Sequence, residues 1–325
     1  MGAIHSNTVS LDNFTLLNLL GEGKFGSVYK SIHNRSKKIY AIKEIPKQKM
    51  INNTGEFLDQ SERNILPQIY SPFIANLYYA FQTSTSLFLV MDFLELGDLR
   101  YFMKKNPIIE EKSCKFIISC AIQAFTSLHS KGIIHHDVKP ENFVFDSKGF
   151  LCLTDFGISQ KLSSRMKISK SGTIWYLAPE VLYGQPYNLT SDYFSLGVIM
   201  FEIMEGRRPF SGNTRDDLMG SYINEKLVVR NPYNYSNDAV DFVMKMLIKN
   251  SSKRLGCEGI KELINHPWLS DVDWKNLSVK NISSPCLRFL EPGNAIVKKQ
   301  QKSVSFMGSP KAFKNLSGFY YNRFE

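Results

Sequence analysis

The hydrophobic spacing of this chain changes character near Gly97, and that change restricts its fold more than any other feature. From Phe14 to about Val90 the apolar residues fall in short runs of strand length: Leu16–Leu20, Ser27–Ile32 and Tyr40–Ile45. A helix near Glu56–Leu66, stopped by Pro67, and two more strands complete this half. Beyond Gly97 the stretches are long and helical. In Ser113–Lys131, Ile117, Ala121, Ala124 and Leu128 share one helical face and Gly132 marks the stop. Asp192–Met204 is apolar nearly all round, as a buried helix is. Strands first and helices after predict an α+β chain with two lobes.

At 325 residues and 37.2 kDa such a chain can bury its core without a disulfide or metal staple. With 43% hydrophobic and 22% charged residues it is not a disordered, collagen-like or disulfide-rich secreted sequence. No apolar run approaches the roughly 18 residues of a spanning helix, and no charged-then-apolar leader opens the chain, so a cytoplasmic protein is expected. Five cysteines without a C-x-x-C pair fit free thiols in a reducing compartment. Half of the net +10 lies between Lys298 and Glu325, where six Lys/Arg face one Glu. The rest is spread along the chain and forms no clustered stripe, so no nucleic-acid partner is expected. Met1-Gly2-Ala3-Ile4-His5-Ser6 fits the pattern for myristoylation of Gly2. No cysteine, lysine or arginine among the first twenty residues supplies a second anchor, so membrane contact would be weak and reversible, a peripheral association helped at most by the basic tail.

Three places carry chemistry. Gly21-Glu22-Gly23-Lys24-Phe25-Gly26-Ser27-Val28 lies between two strand-like runs, where backbone amides without Cβ obstruction can approach phosphate oxygens. Any glycine-rich turn would look the same, but a strand rather than a helix follows, which argues against a dinucleotide fold. Lys43, in the apolar strand Tyr40-Ala41-Ile42-Lys43, is costly to bury without an acidic partner, and Glu62 on the following helix is the candidate. An edge lysine reaching water is the alternative. Finally, His135-His136-Asp137-Val138-Lys139-Pro140-Glu141-Asn142 precedes the strand Phe150–Thr154, which ends in Asp155-Phe156-Gly157. Asp137 is placed to accept a hydroxyl proton, Lys139 to neutralise a transferring phosphoryl group, and Asn142 and Asp155 to ligate metal ions. A zinc site at the histidine pair is disfavoured, because adjacent ligands are unusual and no partner follows at ligand spacing.

Taken together, and with Ala178-Pro179-Glu180, these segments resemble the eukaryotic protein kinases in order and spacing over about residues 14–268. Ser61-Glu62-Arg63-Asn64-Ile65-Leu66, Ser71-Pro72-Phe73, Gly172 to Glu180 and His266-Pro267-Trp268 resemble the AGC group. Gly97-Asp98-Leu99-Arg100-Tyr101, Gly206-Arg207-Arg208-Pro209-Phe210 and Met1-Gly2-Ala3 resemble its YANK kinases. The resemblance implies a small lobe at about 14–91, a larger one at about 95–268, a flexible N-terminus at 1–13 and an AGC-like tail at 269–325. It also implies a monomeric serine/threonine kinase using ATP and Mg2+ on protein substrates, with a pseudokinase scaffold or a kinase of lipids or small molecules as the alternatives.

By the same resemblance Val28, Ala41 and Val144 sandwich adenine and the main chain of Asp92–Leu94 meets its edge. Leu89 is the gatekeeper, and Asp98 meets the ribose. Gly21 to Gly26, with Glu22, Lys24 and Phe25, would cover the phosphates, and Lys43 with Glu62 would orient them. Leu66, Leu77, His135 and Phe156 form an apolar stack between lobes, Asp192 anchors the catalytic loop, and Glu180 pairs with Arg254. Asp98, Glu141 and Glu202 match positions that bind basic residues upstream of the target, although Trp175 stands where some relatives have another acid. His136 departs from the usual arginine that holds a loop phosphate, so activation without phosphorylation of Ser169 or nearby Ser171 is expected. Tyr321-Asn322-Arg323-Phe324 resembles the aromatic end that AGC tails dock on the small lobe, with Ser305 and Ser309 as candidate phosphosites.

Overall fold

The computed structural model describes residues 9–23, 26–50, 61–162, 173–291 and 319–324. Gly2, Lys24, Phe25, Ser169, Ser171, Ser305 and Ser309 lie outside them. Phe14–Glu22 (β1), Ser27–His33 (β2), Ile39–Pro46 (β3), Leu77–Gln82 (β4) and Ser86–Asp92 (β5) form an antiparallel sheet in the order β1-β2-β3-β5-β4. Side chains alternate across a strand, which sorts this sheet into two faces. Phe14, Tyr40, Ile42, Phe81, Phe88 and Val90 pack together on the outer face, while Ile45, Ala80, Leu87, Leu89 and Met91 join the main core. Register places Ala41 opposite Met91 and Lys43 opposite Leu89. Ser61–Ile65 (α1) stands between β3 and β4 in sequence.

The second lobe begins at Leu99–Lys105 (α2), which Asp98 caps by accepting the Tyr101 amide at 2.7 Å. Glu111–His129 (α3) and Thr190–Glu205 (α5) form its centre, with Pro179–Leu182 (α4), Arg215–Asn224 (α6), Asn237–Met246 (α7), Lys261–Ile264 (α8) and Trp274–Ser278 (α9) around them. Ile117, Ala121, Ala124 and Leu128 are fully buried along the face that their spacing predicts. Two short two-stranded sheets, Ile133–Ile134 (β6) with Gln160–Lys161 (β9) and Phe143–Phe145 (β7) with Leu151–Leu153 (β8), hold the loops between the lobes. The described cysteines are free thiols, four of them buried.

Residues 272–291 depart from the extended tail that their composition suggests. Leu277 and Cys286 are buried in the helical core, Lys280 pairs with Asp146 at 2.6 Å, and the Ser284 hydroxyl donates to the Gly149 carbonyl at 2.7 Å. A few apolar residues in a polar stretch are enough, because hydrogen bonds to the β7–β8 turn fix the rest. At the chain's end Tyr321–Asn322 (β10) adds a sixth strand to the sheet, antiparallel to β4.

Candidate active site

A cavity of about 370 Å³ opens between the sheet and the helical lobe. Gly21, Glu22, Gly23, Gly26 and Val28 line it from above, and Ala41 and Lys43 from β3. Asp92, Phe93 and Leu94 line the connection between lobes, with Asp98, Asn142, Val144 and Asp155 below. The Gly23 amide donates to the Gly26 carbonyl at 2.8 Å, which closes the turn joining β1 to β2. The glycines differ in what they permit. A Cβ on Gly21 would meet nothing within 4 Å, whereas one on Gly26 would lie 1.9 Å from the Glu44 carbonyl oxygen. The first keeps the cleft roof open, and the third lets two strands approach.

Lys43 is not an edge lysine. Its ammonium, buried on β3, reaches Glu62 at 2.6 Å and Asp155 at 2.9 Å. Burial alone would lower its pKa, but the two carboxylates outweigh it and hold the ammonium charged above the ordinary lysine value. The Asp155 carboxyl is partly exposed to the cleft, and Lys43 keeps it below the usual carboxylate range, outweighing the desolvation that would raise it. Asp155 and His136 both take left-handed backbone, φ 59° and 69°, uncommon for residues other than glycine though less so for Asp and His.

Asp137 collects donors from three directions. Lys139 Nζ lies at 2.6 Å and Asn142 Nδ2 at 3.0 Å from one oxygen, and the Thr173 amide and hydroxyl lie at 3.1 and 3.2 Å from the other. Lys139 also donates to the Thr173 hydroxyl at 3.1 Å. The loop beneath is fixed by Asp192, which accepts the His135 amide at 2.9 Å, the His136 amide at 3.1 Å and His129 Nε2 at 2.9 Å. His129 was not legible as part of this anchor; only its place at the end of α3 hints at it. His135 stacks edge-on against Phe156 at 5.0 Å, and Phe156 shares the main core with the buried Leu66 and Leu77. Glu180 meets Arg254 through paired bonds of 2.6 and 2.9 Å, with both side chains buried.

One expected residue is displaced. Leu89 does not line the cavity; Met91 does. The two share a face of β5, but Leu89 sits beside Lys43 in the register, one step deeper in the core, while Met91 sits beside Ala41, which lines the cavity. Counting back one residue from Asp92 would have found it. Leu20, Ala75 and Thr154 also line the cleft and were not singled out by the sequence.

The metal-ligand candidates fit a magnesium–nucleotide complex. Asn142 spends its amide nitrogen on Asp137, leaving its carbonyl oxygen, and Asp155 spends one oxygen on Lys43, leaving the other. Among the described residues no cluster of three or more His, Cys, Asp or Glu could hold a metal by itself. Hard oxygen donors in so small a number suit Mg2+, which is usually held by one or two carboxylates together with phosphates and water.

Comparison with known proteins gives one family match and many relatives. The model of the protein kinase domain matches residues 14–269. The chain is 36% identical over 282 residues to a probable serine/threonine-protein kinase of Dictyostelium discoideum, covering 86% of this chain and 61% of the relative. It is 36% identical to ribosomal protein S6 kinase 2 beta of Xenopus laevis, over 84% of this chain and 44% of the relative. Against serine/threonine-protein kinase Sgk1 of Danio rerio the identity is 32%, over 88% and 66%. The chain thus spans about three-fifths, or less, of the first relatives it matches.

Proposed function

Because the chain belongs to the protein kinase family, we propose that it is a serine/threonine protein kinase, moving the γ-phosphoryl group of Mg-ATP to Ser and Thr hydroxyls of proteins. The observation that carries this is Asp137, held by Lys139, Thr173 and Asn142, the last of which lines a cleft that the Lys43–Glu62–Asp155 cluster also lines. Bound Mg2+ neutralises phosphate charge. Asp137 orients the acceptor hydroxyl and takes its proton, and Lys139 stabilises charge beside it. Lys43, fixed by Glu62, positions the phosphates, and Asn142 and Asp155 supply oxygens to the metal.

A scaffold needs none of these groups in register, which weighs against the pseudokinase reading. The ordered segment from Thr173 to Glu180, a platform for a peptide, weighs against a lipid or small-molecule substrate. The AGC group, and within it the YANK kinases, fits Gly97 to Tyr101 and a tail strand seated on the small lobe. A monomer in the cytoplasm, with Gly2 acylation and the basic tail giving weak membrane contact, belongs to the same reading. An intact mass carrying no myristoyl group after co-expression with an N-acyltransferase would remove the acylation.

The test is phosphate transfer from labelled Mg-ATP to Ser/Thr and Tyr peptides by wild type and Asp137→Asn. Transfer to Ser/Thr peptides alone, falling by roughly 10² to 10⁴ in the variant while nucleotide affinity stays within a few-fold, supports the assignment. Nucleotide binding without Asp137-dependent transfer, under conditions that activate related kinases, would return the scaffold.

A further inference from the structure

Two of the three acidic positions expected to receive a substrate cation already hold one. Arg100, in the first turn of α2, spreads its guanidinium across three other elements. Its Nε donates to Glu141 at 2.8 Å, Nη1 to one oxygen of Glu202 at 2.8 Å, and Nη2 to the other at 3.2 Å and to the Tyr176 hydroxyl. Tyr176 donates in turn to Glu202 at 2.7 Å. Both oxygens of Glu202 are therefore engaged, and its side chain is only 13% exposed. Asp98, the third acid, is 8% exposed and spends one oxygen capping α2. Trp175, at the position where some relatives have another acid, lies under the Arg208 guanidinium at 4.6 Å, which places a further positive charge beside the platform.

A planar fork bridging two carboxylates is a strong, directional form of charge-assisted hydrogen bonding. A cation carried by the chain itself acts at an effective concentration in the millimolar range or above, which a peptide in solution does not reach. We propose that Arg100 is the specificity-determining residue of the peptide site, a built-in arginine that occupies Glu141 and Glu202, so that the enzyme does not select a basic residue at the substrate position facing them. The proposal rests on the serine/threonine kinase reading and narrows its substrate class. It replaces the preference for upstream basic residues that the three acids, taken alone, imply.

The experiment compares wild type, Arg100→Gln and Arg100→Met on serine peptides that differ only in carrying Arg or Ala at each position before the acceptor. Methionine keeps much of the apolar stem where glutamine shortens it, so a folding defect in one variant does not end the test. The measured quantity is the Arg/Ala ratio of kcat/KM within one preparation, from which inactive protein cancels. Wild type is expected to stay within about threefold at every position, and the variants to gain about tenfold at one position, through KM. A wild-type ratio above about tenfold at any upstream position overturns the proposal, as does a ratio unchanged in both variants. Dissociation constants of the same peptides, with a non-hydrolysable ATP analogue present, give the ratio without turnover. Peptides that bind with the expected shift yet are never phosphorylated would overturn the kinase reading and leave Arg100 as the occupant.

Discussion

The charge state of His136 sets an expectation for how the site is regulated. Burial pushes its pKa down to about 4, with His135 adding to the effect and Asp192 opposing it, and its ring packs edge-on to Tyr187 at 4.9 Å. An arginine there would be a permanent cation for a loop phosphate; this imidazole is uncharged at neutral pH. Ser169→Ala is therefore expected to keep most of the kinase activity, and a loss of activity in a folded variant would show that a loop phosphate is needed after all. Acid stability follows from the same group. Its folded pKa lies below the unfolded value near 6.5, so its contribution is complete above that value and is lost as pH falls toward the folded one. His136→Asn removes the titration and tolerates the left-handed backbone. Between pH 7.5 and 5 the variant should lose up to about 2 kcal/mol less stability than wild type, read from urea melts at each pH. Equal losses would mean that folding leaves the His136 pKa unshifted. The glycine turn divides in a similar way: Gly26→Ala should lower both the melting temperature and nucleotide affinity, because the Glu44 carbonyl has to move. Gly21→Ala should leave the fold within about 0.5 kcal/mol.

Elements were legible where burial imposes a period, and much less so where register or distant partners decide. Spacing alone located β1 to β3, α3 and α5, because each turns one repeating face, or every face, toward a core. Leu89 and Met91 share one face, so alternation could not rank them; depth came from the pairing of β5 with β3. Arg100 was visible as a residue, but its acids lie 41 and 102 positions away, and nothing local announces the bridge. The Lys43–Glu62 pair was readable because a lysine in an apolar strand demands a counter-charge. The Glu180–Arg254 pair, tying α4 to the segment before α8, makes the element-scale prediction. Arg254 also donates to the carbonyls of Ile248, Lys249 and Thr190, so its removal strands a buried carboxylate and three acceptors. Arg254→Met should cost about 3 to 5 kcal/mol. Adding Glu180→Gln should recover part of that loss, and strict additivity in the double variant would show that the two residues do not act as a pair.

For the whole molecule, the chain's last described residues join the lobe that holds its first. β10 covers the β4 edge, pairing Tyr321 with Ala80 and Asn322 with Tyr79, and the Arg323 guanidinium donates to the Leu77 carbonyl at 2.6 Å. Covering an edge prevents pairing with another chain, but Phe319 suggests more. It is 2% exposed within the main core, with the Arg63 guanidinium 5.9 Å from its ring centre, and Arg63 follows Glu62 on α1. The tail thus packs beside the helix that presents the partner of Lys43. Phe319→Ala should cost about 3 kcal/mol of tail docking, as other buried aromatic truncations do. Phe324, stacked on Tyr78 at 6.0 Å but 65% exposed, should cost within about 0.5 kcal/mol when replaced by alanine. Hydrogen exchange at the Tyr321 and Arg323 amides, which alternate onto the β4 side of the strand with Arg323 donating to the Tyr78 carbonyl at 2.9 Å, would report undocking directly. If α1 depends on the docked tail, Phe319→Ala lowers kcat as those amides lose protection, because Glu62 no longer fixes Lys43. If the amides exchange freely while kcat stays at the wild-type value, the tail only covers the sheet edge and α1 holds Glu62 without it.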